Sequence, residues 1–201
     1  MAADRDDLRR AKQQLRESVV RMTRQLDPDV HAAASQRMCD HLMSVGAIQR
    51  ARTVAVYRAD GHELDPAAAM KAMEERGIRT LLPRMIDGNI HLAPSGDPGL
   101  LVAGPLGIPQ PASGSVPLDE IDVVVLPGVA FDLDGGRLGR GGGHYDRLLS
   151  MLPADVVRMG LAHTGQMVTR VPRAEHDELL DILVTDRAVH HTGARAQERD
   201  A

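Results

Sequence analysis

The stretch that decides the fold is DVVVLPGVAFDLDGGRLGRGGGHYDRLL, which occupies residues 122–149. Its first five residues, 122–126, are almost continuously apolar, as is typical of a central strand covered on both faces. A glycine-rich segment at 135–146 follows, and residues 145–152 are predicted to form a helix. A buried strand that leads through such a connection into a helix indicates an α/β domain.

The rest of the chain repeats this alternation of strands and helices. Apolar residues at spacings of three and four predict one buried stripe on the first helix, formed by Leu8, Ala11, Leu15, Val19 and Met22. Helices are predicted at residues 4–26, 29–45, 66–76 and 145–152. Strands are predicted at residues 53–57, 78–82, 89–92, 122–126, 156–161 and 181–185. This order favours a largely parallel sheet.

Proline and glycine mark the boundaries between these elements. Pro83 is expected to end the second strand, and the Asp87-Gly88 pair predicts a turn before the third. Residues 94–118 are rich in both residue types and are interpreted as an irregular surface excursion. We expect one domain over residues 1–188 and a polar, flexible tail over residues 189–201.

Composition excludes several classes of protein. With 43% hydrophobic and 26% charged residues, the chain falls in the ordinary globular range. A net charge of −4 argues against a general nucleic-acid binder or a protein of anionic membranes. The charged first twenty residues predict no signal peptide, and no apolar run reaches the roughly 18–20 residues that cross a bilayer. We therefore expect a cytoplasmic protein without a membrane partner.

The few aromatic and sulfhydryl residues restrict the chemistry further. Cys39 is the only cysteine, which excludes an intrachain disulfide and a thiolate zinc cluster, and it is expected in the core. There is no Trp, one Phe and two Tyr, so aliphatic, Met, Arg and His side chains must hold most of any planar ligand. Single-stranded nucleic acid, which usually stacks on aromatic side chains, is not expected as a partner.

The glycine-rich segment has the composition of a phosphate-binding loop. Six glycines and two arginines lie within residues 135–143, directly after the central strand. Glycines let successive N–H groups turn toward one anion, and arginines add forked donors beside the positive end of the following helix. The alternative is a flexible hairpin tip.

Two familiar phosphate motifs do not match this segment. A P-loop ends in Gly-Lys-Ser/Thr, whereas Gly143 is followed by His144-Tyr145. A dinucleotide fingerprint counted from Gly139 and Gly141 would place His144 at the last glycine. The segment therefore indicates an anion site of another kind.

Charged residues elsewhere could serve a bound polyanion. Asp146 follows the glycines and Asp186 follows the last predicted strand, and carboxylates of this kind hold Mg²⁺ beside phosphates or cap helices. A basic stripe runs along the first helix. A bound polyanion would reduce the repulsion between its like charges, and the alternative is that the stripe is simply solvated. It consists of Arg5, Arg9, Lys12 and Arg16. The His176-Asp177 pair is interpreted as a hydrogen-bonded structural feature rather than a metal site.

In these segments the sequence resembles the 5-formyltetrahydrofolate cyclo-ligase family, also called 5,10-methenyltetrahydrofolate synthetases. The resemblance runs in order from about residue 8 to 187. The matching stretches are LRRAKQQLR at 8–16, VAVYRADGHELD at 54–65, LLPR at 81–84, GIPQP at 107–111, LPGVAFDLDGGRLGRGGGHYDRLL at 126–149 and VPRAEHDELLDILVTD at 171–186.

The resemblance implies a three-layer α/β/α fold and an ATP- and Mg²⁺-dependent reaction on a reduced folate. ATP would phosphorylate the N5-formyl oxygen, and attack by N10 would then close the ring with loss of phosphate. The resemblance assigns ATP contacts to Lys12, Arg16, Arg137, Leu138, Gly139, Arg140, Gly141, Gly142, Gly143, His144 and Tyr145. It assigns folate contacts to Arg58, Glu63, Arg140, Gly141, Gly142, Gly143 and His144. Catalytic roles fall to Arg140 and His144, and Mg²⁺ binding to Asp146 and Asp186.

The sequence departs from the family pattern on the folate side. The family usually has Tyr-Tyr-Asp after the glycines, whereas this chain has His144-Tyr145-Asp146. No aromatic residue lies between Tyr57 and Phe131, where the family often has one. Two alternatives therefore stand beside the cyclo-ligase: an ATP-dependent ligase of the same fold with another substrate, and a non-catalytic nucleotide- or folate-binding module.

Overall fold

A computed structural model describes residues 2–96, 98–174 and 177–192 of the chain. Helices and strands alternate over most of this length, as the sequence predicts. The helices are α1 (Ala2–Thr23), α2 (Pro28–Ser44), α3 (Gly46–Arg50), α4 (Ala67–Glu75) and α5 (His144–Met151). The strands are β1 (Thr53–Ala55), β2 (Arg79–Ile86), β3 (Asn89–Pro94), β4 (Leu101–Ala103), β5 (Pro109–Pro111), β6 (Val123–Leu126), β7 (Ala130–Phe131), β8 (Arg137–Leu138), β9 (Val157–Ala162), β10 (Ile182–Thr185) and β11 (Val189–His191).

Seven strands form the central sheet, in the order β11-β10-β9-β6-β1-β2-β3. The five inner strands are parallel to one another, while β3 and β11 close the two edges as antiparallel strands. From β1 the chain passes to β2 on one side, and from β6 it passes to β9 on the other. The strand order therefore reverses between β1 and β6, which is where open α/β sheets bind ligands.

Helices cover both faces of the sheet, so the predicted three-layer α/β/α architecture is confirmed. On one face α2, α3 and α4 pack over residues such as Val54, Val123 and Ile182. On the other face α5 packs over Leu126 and Leu183. Alternate residues of the inner strands enter opposite clusters, which explains why residues 122–126 read as continuously apolar. Cys39 is 2% exposed on α2, as expected of a core residue.

The prediction that Pro83 ends the second strand is wrong, because β2 continues to Ile86. Met85, two residues further, directs its N–H away from β3 and toward Gln110. Since N–H directions alternate along a strand, the N–H that Pro83 lacks would point to the same side. There β1 has already ended, since its register with β2 stops at Leu81, so the missing donor breaks no ladder bond.

The Asp87-Gly88 turn is confirmed between β2 and β3. Asp87 has φ 48° and Gly88 has φ 77°, and two consecutive positive φ angles are typical of a type I′ hairpin turn. Within residues 94–118 the chain is more ordered than the sequence indicates, because β4 and β5 form a separate two-stranded sheet. This excursion packs against β2 and extends the surface on that side.

Helix α1 lies apart from the sheet and packs on β7 and on a 3-10 turn at Thr164–Gln166. Only part of its predicted buried stripe is confirmed. Val19 is 5% exposed, whereas Met22 is 40% exposed because α1 meets a narrow surface and not a sheet face. No helix within the described ranges is long and apolar enough to pass through a membrane.

The C-terminal boundary also differs from the predicted one. Val189–His191, assigned from the sequence to the polar tail, form the edge strand β11 and pair with β10. Residues 193–201 of that tail lie outside the described residues.

Candidate functional site

A cavity of about 830 Å³ opens at the carboxyl ends of β1 and β6. Tyr57 and Arg58 line it shortly after the end of β1, and Pro127 and Gly128 line it directly after β6. The cavity therefore lies at the reversal of strand order, and its size suits a bound small molecule.

The glycine-rich segment forms one wall of this cavity. After the β7–β8 hairpin the chain passes through Gly141, with φ 106°, and Gly143, with φ 65°, into the first turn of α5. The buried carboxylate of Asp132 holds the hairpin by accepting the N–H groups of Gly136 and Val171, each at 2.7 Å. Residues other than glycine rarely adopt such positive φ angles, so glycine at these two positions lets the backbone face the cavity.

Arg137 lines the cavity with a side chain that is almost entirely buried in the wall. Its side chain is 2% exposed, and its guanidinium donates to Asp146 at 2.7 Å. The same guanidinium lies 5.7 Å from the ring centre of Tyr145. Its buried Nε has no hydrogen-bond partner among the described residues. Such an orphaned donor at a cavity wall is consistent with a site for an anion or for water.

Arg140 crosses the cavity mouth and is held by two carboxylates. Its guanidinium donates to Asp60 at 2.5 Å and to Glu63 at 2.8 Å. The Arg140 side chain is 43% exposed, whereas those of Asp60 and Glu63 are 15% and 12% exposed. A cation that is more accessible than its partners can exchange them for an incoming anion.

The two carboxylates respond differently to burial. Burial raises the pKa of Glu63 from 4.5 to about 7, although Arg140 acts in the opposite direction. Burial also acts to raise the pKa of Asp60, but the His62 N–H and Arg140 outweigh it, and this pKa lies below its ordinary value. Glu63 therefore titrates near neutral pH while Asp60 keeps its charge.

Helix α1 brings the two inner members of the basic stripe to the cavity. Lys12 contacts Asp177 at 2.5 Å, and the Nε of Arg16 donates to the carbonyl of Gly139 at 2.8 Å. Burial lowers the pKa of Arg16, and the attraction of Asp177 partly offsets this effect. Arg5 and Arg9 are exposed on the same helix and do not line the cavity.

His144 begins α5 and joins the glycine-rich wall to the β2–β3 hairpin. Its Nδ1 lies 2.9 Å from the carbonyl of Gly88 and 2.8 Å from a guanidinium nitrogen of Arg147. Arg147 also donates to the carbonyls of Gly88 and Gly142, at 3.1 and 3.2 Å. The two side chains thus connect the Asp87-Gly88 turn to the glycine-rich segment.

Nearly all the residues that the sequence nominated meet in this cavity. Those that line it are Lys12, Arg16, Arg58, Glu63, Arg137, Leu138, Gly139, Arg140, Gly141, Gly142, Gly143, His144, Tyr145 and Asp146. Asp186 does not line it. This carboxylate accepts the N–H and hydroxyl of Thr164, at 2.6 and 2.7 Å, and lies 3.6 Å from Arg37.

Hydrogen bonds also determine the charge state of Asp186. Burial acts to raise its pKa, but the two bonds from Thr164 outweigh it, and the pKa lies below its ordinary value. Within the described ranges, no three His, Cys, Asp or Glu side chains come close enough to hold a metal ion by themselves.

Several residues of the site carry no signal in the sequence. Asp177 and Arg147 are ordinary charged residues that only the fold brings to the cavity, and Asp60 reaches the site through its ion pair with Arg140. His176, the neighbour of Asp177 in the predicted structural pair, lies outside the described residues. Asp132 could have been found, because an Asp side chain in a turn often accepts the N–H two residues further on, as Asp132 does from Asp134.

Comparison with known proteins gives one consistent result. Residues 8–186 match the family model described as the 5-formyltetrahydrofolate cyclo-ligase family. The 5-formyltetrahydrofolate cyclo-ligase of Escherichia coli strain K12 is 32% identical over 173 residues, which cover 83% of this chain and 95% of that protein. The enzyme of the same name from Mycolicibacterium smegmatis is 30% identical over 89% of this chain and 95% of its own length.

Solved structures agree with the sequence relatives. The NMR structure of the 5,10-methenyltetrahydrofolate synthetase of Aquifex aeolicus has a TM-score of 0.81 and 31% identity, covering 90% of this chain and 92% of that one. A 5,10-methenyltetrahydrofolate synthetase from Mycoplasma pneumoniae has a TM-score of 0.72 at 21% identity, over 87% and 98% of the two chains. The second likeness concerns the fold alone.

Proposed function

Because the chain belongs to the 5-formyltetrahydrofolate cyclo-ligase family, we propose that it cyclises 5-formyltetrahydrofolate to 5,10-methenyltetrahydrofolate and converts ATP to ADP and phosphate. The observation that carries this proposal is the single cavity whose walls have two characters. One part of the lining consists of glycine backbone and cationic side chains, as phosphates require, and another part is apolar apart from Gln110. Arg140 and Glu63 meet between them.

The phosphate side is supported by the cations and the glycine backbone. Lys12 and Arg16 reach the cavity from α1, and residues 137–145 would surround the nucleotide. The phosphates would compete with Asp60 and Glu63 for the exposed guanidinium of Arg140. Positioning and charge neutralisation supply most of the catalysis of a phosphoryl transfer, and these residues offer both.

The proposed reaction has two steps. The formyl oxygen attacks the terminal phosphorus of ATP, the bond to the bridging oxygen breaks, and ADP leaves. N10 next attacks the formyl carbon and loses its proton, and the carbon–oxygen bond breaks to release phosphate. Arg140 would stabilise the charge on the transferred group, and His144 would border the formyl group from the start of α5.

On the folate side, Glu63 would accept hydrogen bonds from the reduced ring, and Arg58 would contribute a cation at the cavity. Glu63 must be ionised to act only as an acceptor, and this form is retained above its pKa of about 7.

Magnesium fits this site only together with a nucleotide. Asp146 presents a carboxylate in the cavity, and one or two carboxylates with phosphate oxygens and water are the set that Mg²⁺ favours. We propose Asp146 as its protein contact in the cavity; Asp186, the second carboxylate nominated from the sequence, lies outside the cavity and would have to leave Thr164 and move to share the ion. When bound, the ion neutralises phosphate charge.

The test is a turnover assay that follows methenyltetrahydrofolate by absorbance, with controls lacking ATP or Mg²⁺. Arg140→Ala should lower kcat by at least about a hundredfold, since it removes a charged donor to the transferred group. Arg170→Ala, which changes an exposed arginine away from the cavity, is the matched control. Wild-type protein that binds ATP without forming product would refute the proposed reaction. Full turnover in Arg140→Ala would refute the role of that residue.

A further inference from the structure

The wall opposite the glycines contains one polar side chain in an apolar surface. It is built from β2, β3 and the β4–β5 excursion, and its apolar members are Pro83, Met85, Ile90, Pro105, Ile108 and Pro109. Gln110, on β5, is the one polar residue that this part of the described chain contributes to the cavity. A polar group in such a wall fixes the orientation of a ligand more than it adds to affinity.

The orientation of the Gln110 amide is fixed by the backbone. Its Oε1 accepts the N–H of Met85 at 3.0 Å, on the edge of β2 that β1 leaves uncovered. Because a backbone N–H can only donate, the partner atom must be the amide oxygen and not the nitrogen. The NH₂ group is consequently the part of Gln110 that remains available to a ligand.

Tight packing limits the freedom of this side chain. A Cβ atom at Gly104 would lie 2.5 Å from the carbonyl of Ile108 and 3.0 Å from the Oε1 of Gln110. The N–H of Gly104 also donates to the carbonyl of Ile108 at 3.0 Å, which closes the loop between β4 and β5. Gly104 thus lets the loop approach the amide closely, and the donor is held in place before a ligand arrives.

We propose that Gln110 is a specificity-determining residue whose Nε2 donates a hydrogen bond to an acceptor, a carbonyl oxygen or ring nitrogen, on the bicyclic ring of the substrate. This inference rests on the proposed function and refines it. The reduced pteridine ring carries both donors and acceptors at its edge. Gln110 supplies a donor and Glu63 an acceptor to the same cavity, so the pair recognises both kinds of group.

Two variants separate this role from a structural one. Gln110→Glu keeps the Oε1 that accepts from Met85 and replaces the donor by a carboxylate oxygen. Gln110→Met has a similar shape and loses both functions. We expect KM for 5-formyltetrahydrofolate to rise at least about tenfold in both variants, as loss of one hydrogen bond predicts. KM for ATP should stay within about twofold of wild type, and only Gln110→Met should lose thermal stability.

A wild-type KM for the folate in Gln110→Glu would overturn the inference, because that variant has no donor left. An equal rise of both KM values would also overturn it, because a general loss of cavity structure affects both ligands. If Gln110→Met does not fold, the comparison of wild type with Gln110→Glu decides the question alone.

The inference and the proposed function fail in different ways. Turnover by wild-type protein establishes the function independently of either variant. If wild type shows no turnover, the binding of 5-formyltetrahydrofolate is measured by calorimetry. Binding that weakens tenfold in Gln110→Glu then supports the inference without the reaction, and equal binding refutes it.

Discussion

Replacing Glu63 by Gln should change how the stability of this protein depends on pH. The Glu63 carboxyl is 12% exposed beside Arg140, and burial raises its pKa from 4.5 to about 7. Between these pH values the folded protein keeps the Glu63 proton, while the unfolded chain has released it. The free energy of unfolding therefore falls as pH rises through this window, and Gln, which does not titrate, removes that fall.

The size of the effect follows from the pKa. A rise from 4.5 to about 7 corresponds, at about 1.36 kcal/mol per pH unit, to about 3 kcal/mol. Urea denaturation at pH 4 and pH 8 measures it. The free energy of unfolding of Glu63→Gln minus that of wild type should be up to about 3 kcal/mol larger at pH 8 than at pH 4.

The matched control is Glu75→Gln, which removes a carboxylate that is 66% exposed and 3.9 Å from Lys71. This variant should follow the wild-type pH dependence to within about 0.5 kcal/mol. If Glu63→Gln loses the same stability between pH 4 and pH 8 as wild type, burial does not control the protonation of Glu63.

Two further predictions concern the same cavity. Asp146→Ala leaves Arg137 buried without its carboxylate, so urea denaturation should show a loss of about 3 kcal/mol, and a loss below 1 kcal/mol would contradict the burial of that pair. Binding of ATP should draw Arg140 away from Glu63 and thereby raise the pKa of the Glu63 carboxyl, so that the protein takes up protons near pH 7. Calorimetry in buffers of different ionisation enthalpy measures this uptake. A binding enthalpy that is the same in all buffers would exclude the exchange.

The alternation of apolar strands and amphipathic helices was sufficient to predict the order of the main elements. Residues 122–126 and 181–185 correspond to β6 and β10, each within one residue, because both strands are buried on two faces. The continuation of β2 through Pro83 could not be predicted, because it depends on where β1 ends. The strand β11 was missed since its pairing with β10, rather than an apolar pattern, defines it.

The site was predictable where local sequence and family resemblance act together. The glycines and arginines of residues 135–143 indicated an anion site, and the structure lines the cavity with Arg137, Gly139 and Arg140. The sequence did not reveal that Arg137 would be buried and that Arg140 would be paired. Asp60 and Glu63 are close to each other in sequence but 77 or more residues from Arg140, so only the sheet order brings them together.

The limited apolar packing of α1 has a consequence for local unfolding of the protein. Among residues 5–23, Val19 is the one buried hydrophobic side chain, with Leu15 and Val20 partly buried beside it. Lys12 contacts Asp177, and Arg16 donates to the carbonyl of Gly139. A segment with so little buried apolar surface opens at a lower free energy than the core does. A nucleotide gripped by the same two cations would resist that opening. Amide hydrogens of α1 should therefore exchange quickly in the free protein and slowly with ATP, so that bound nucleotide stabilises the first helix against local opening.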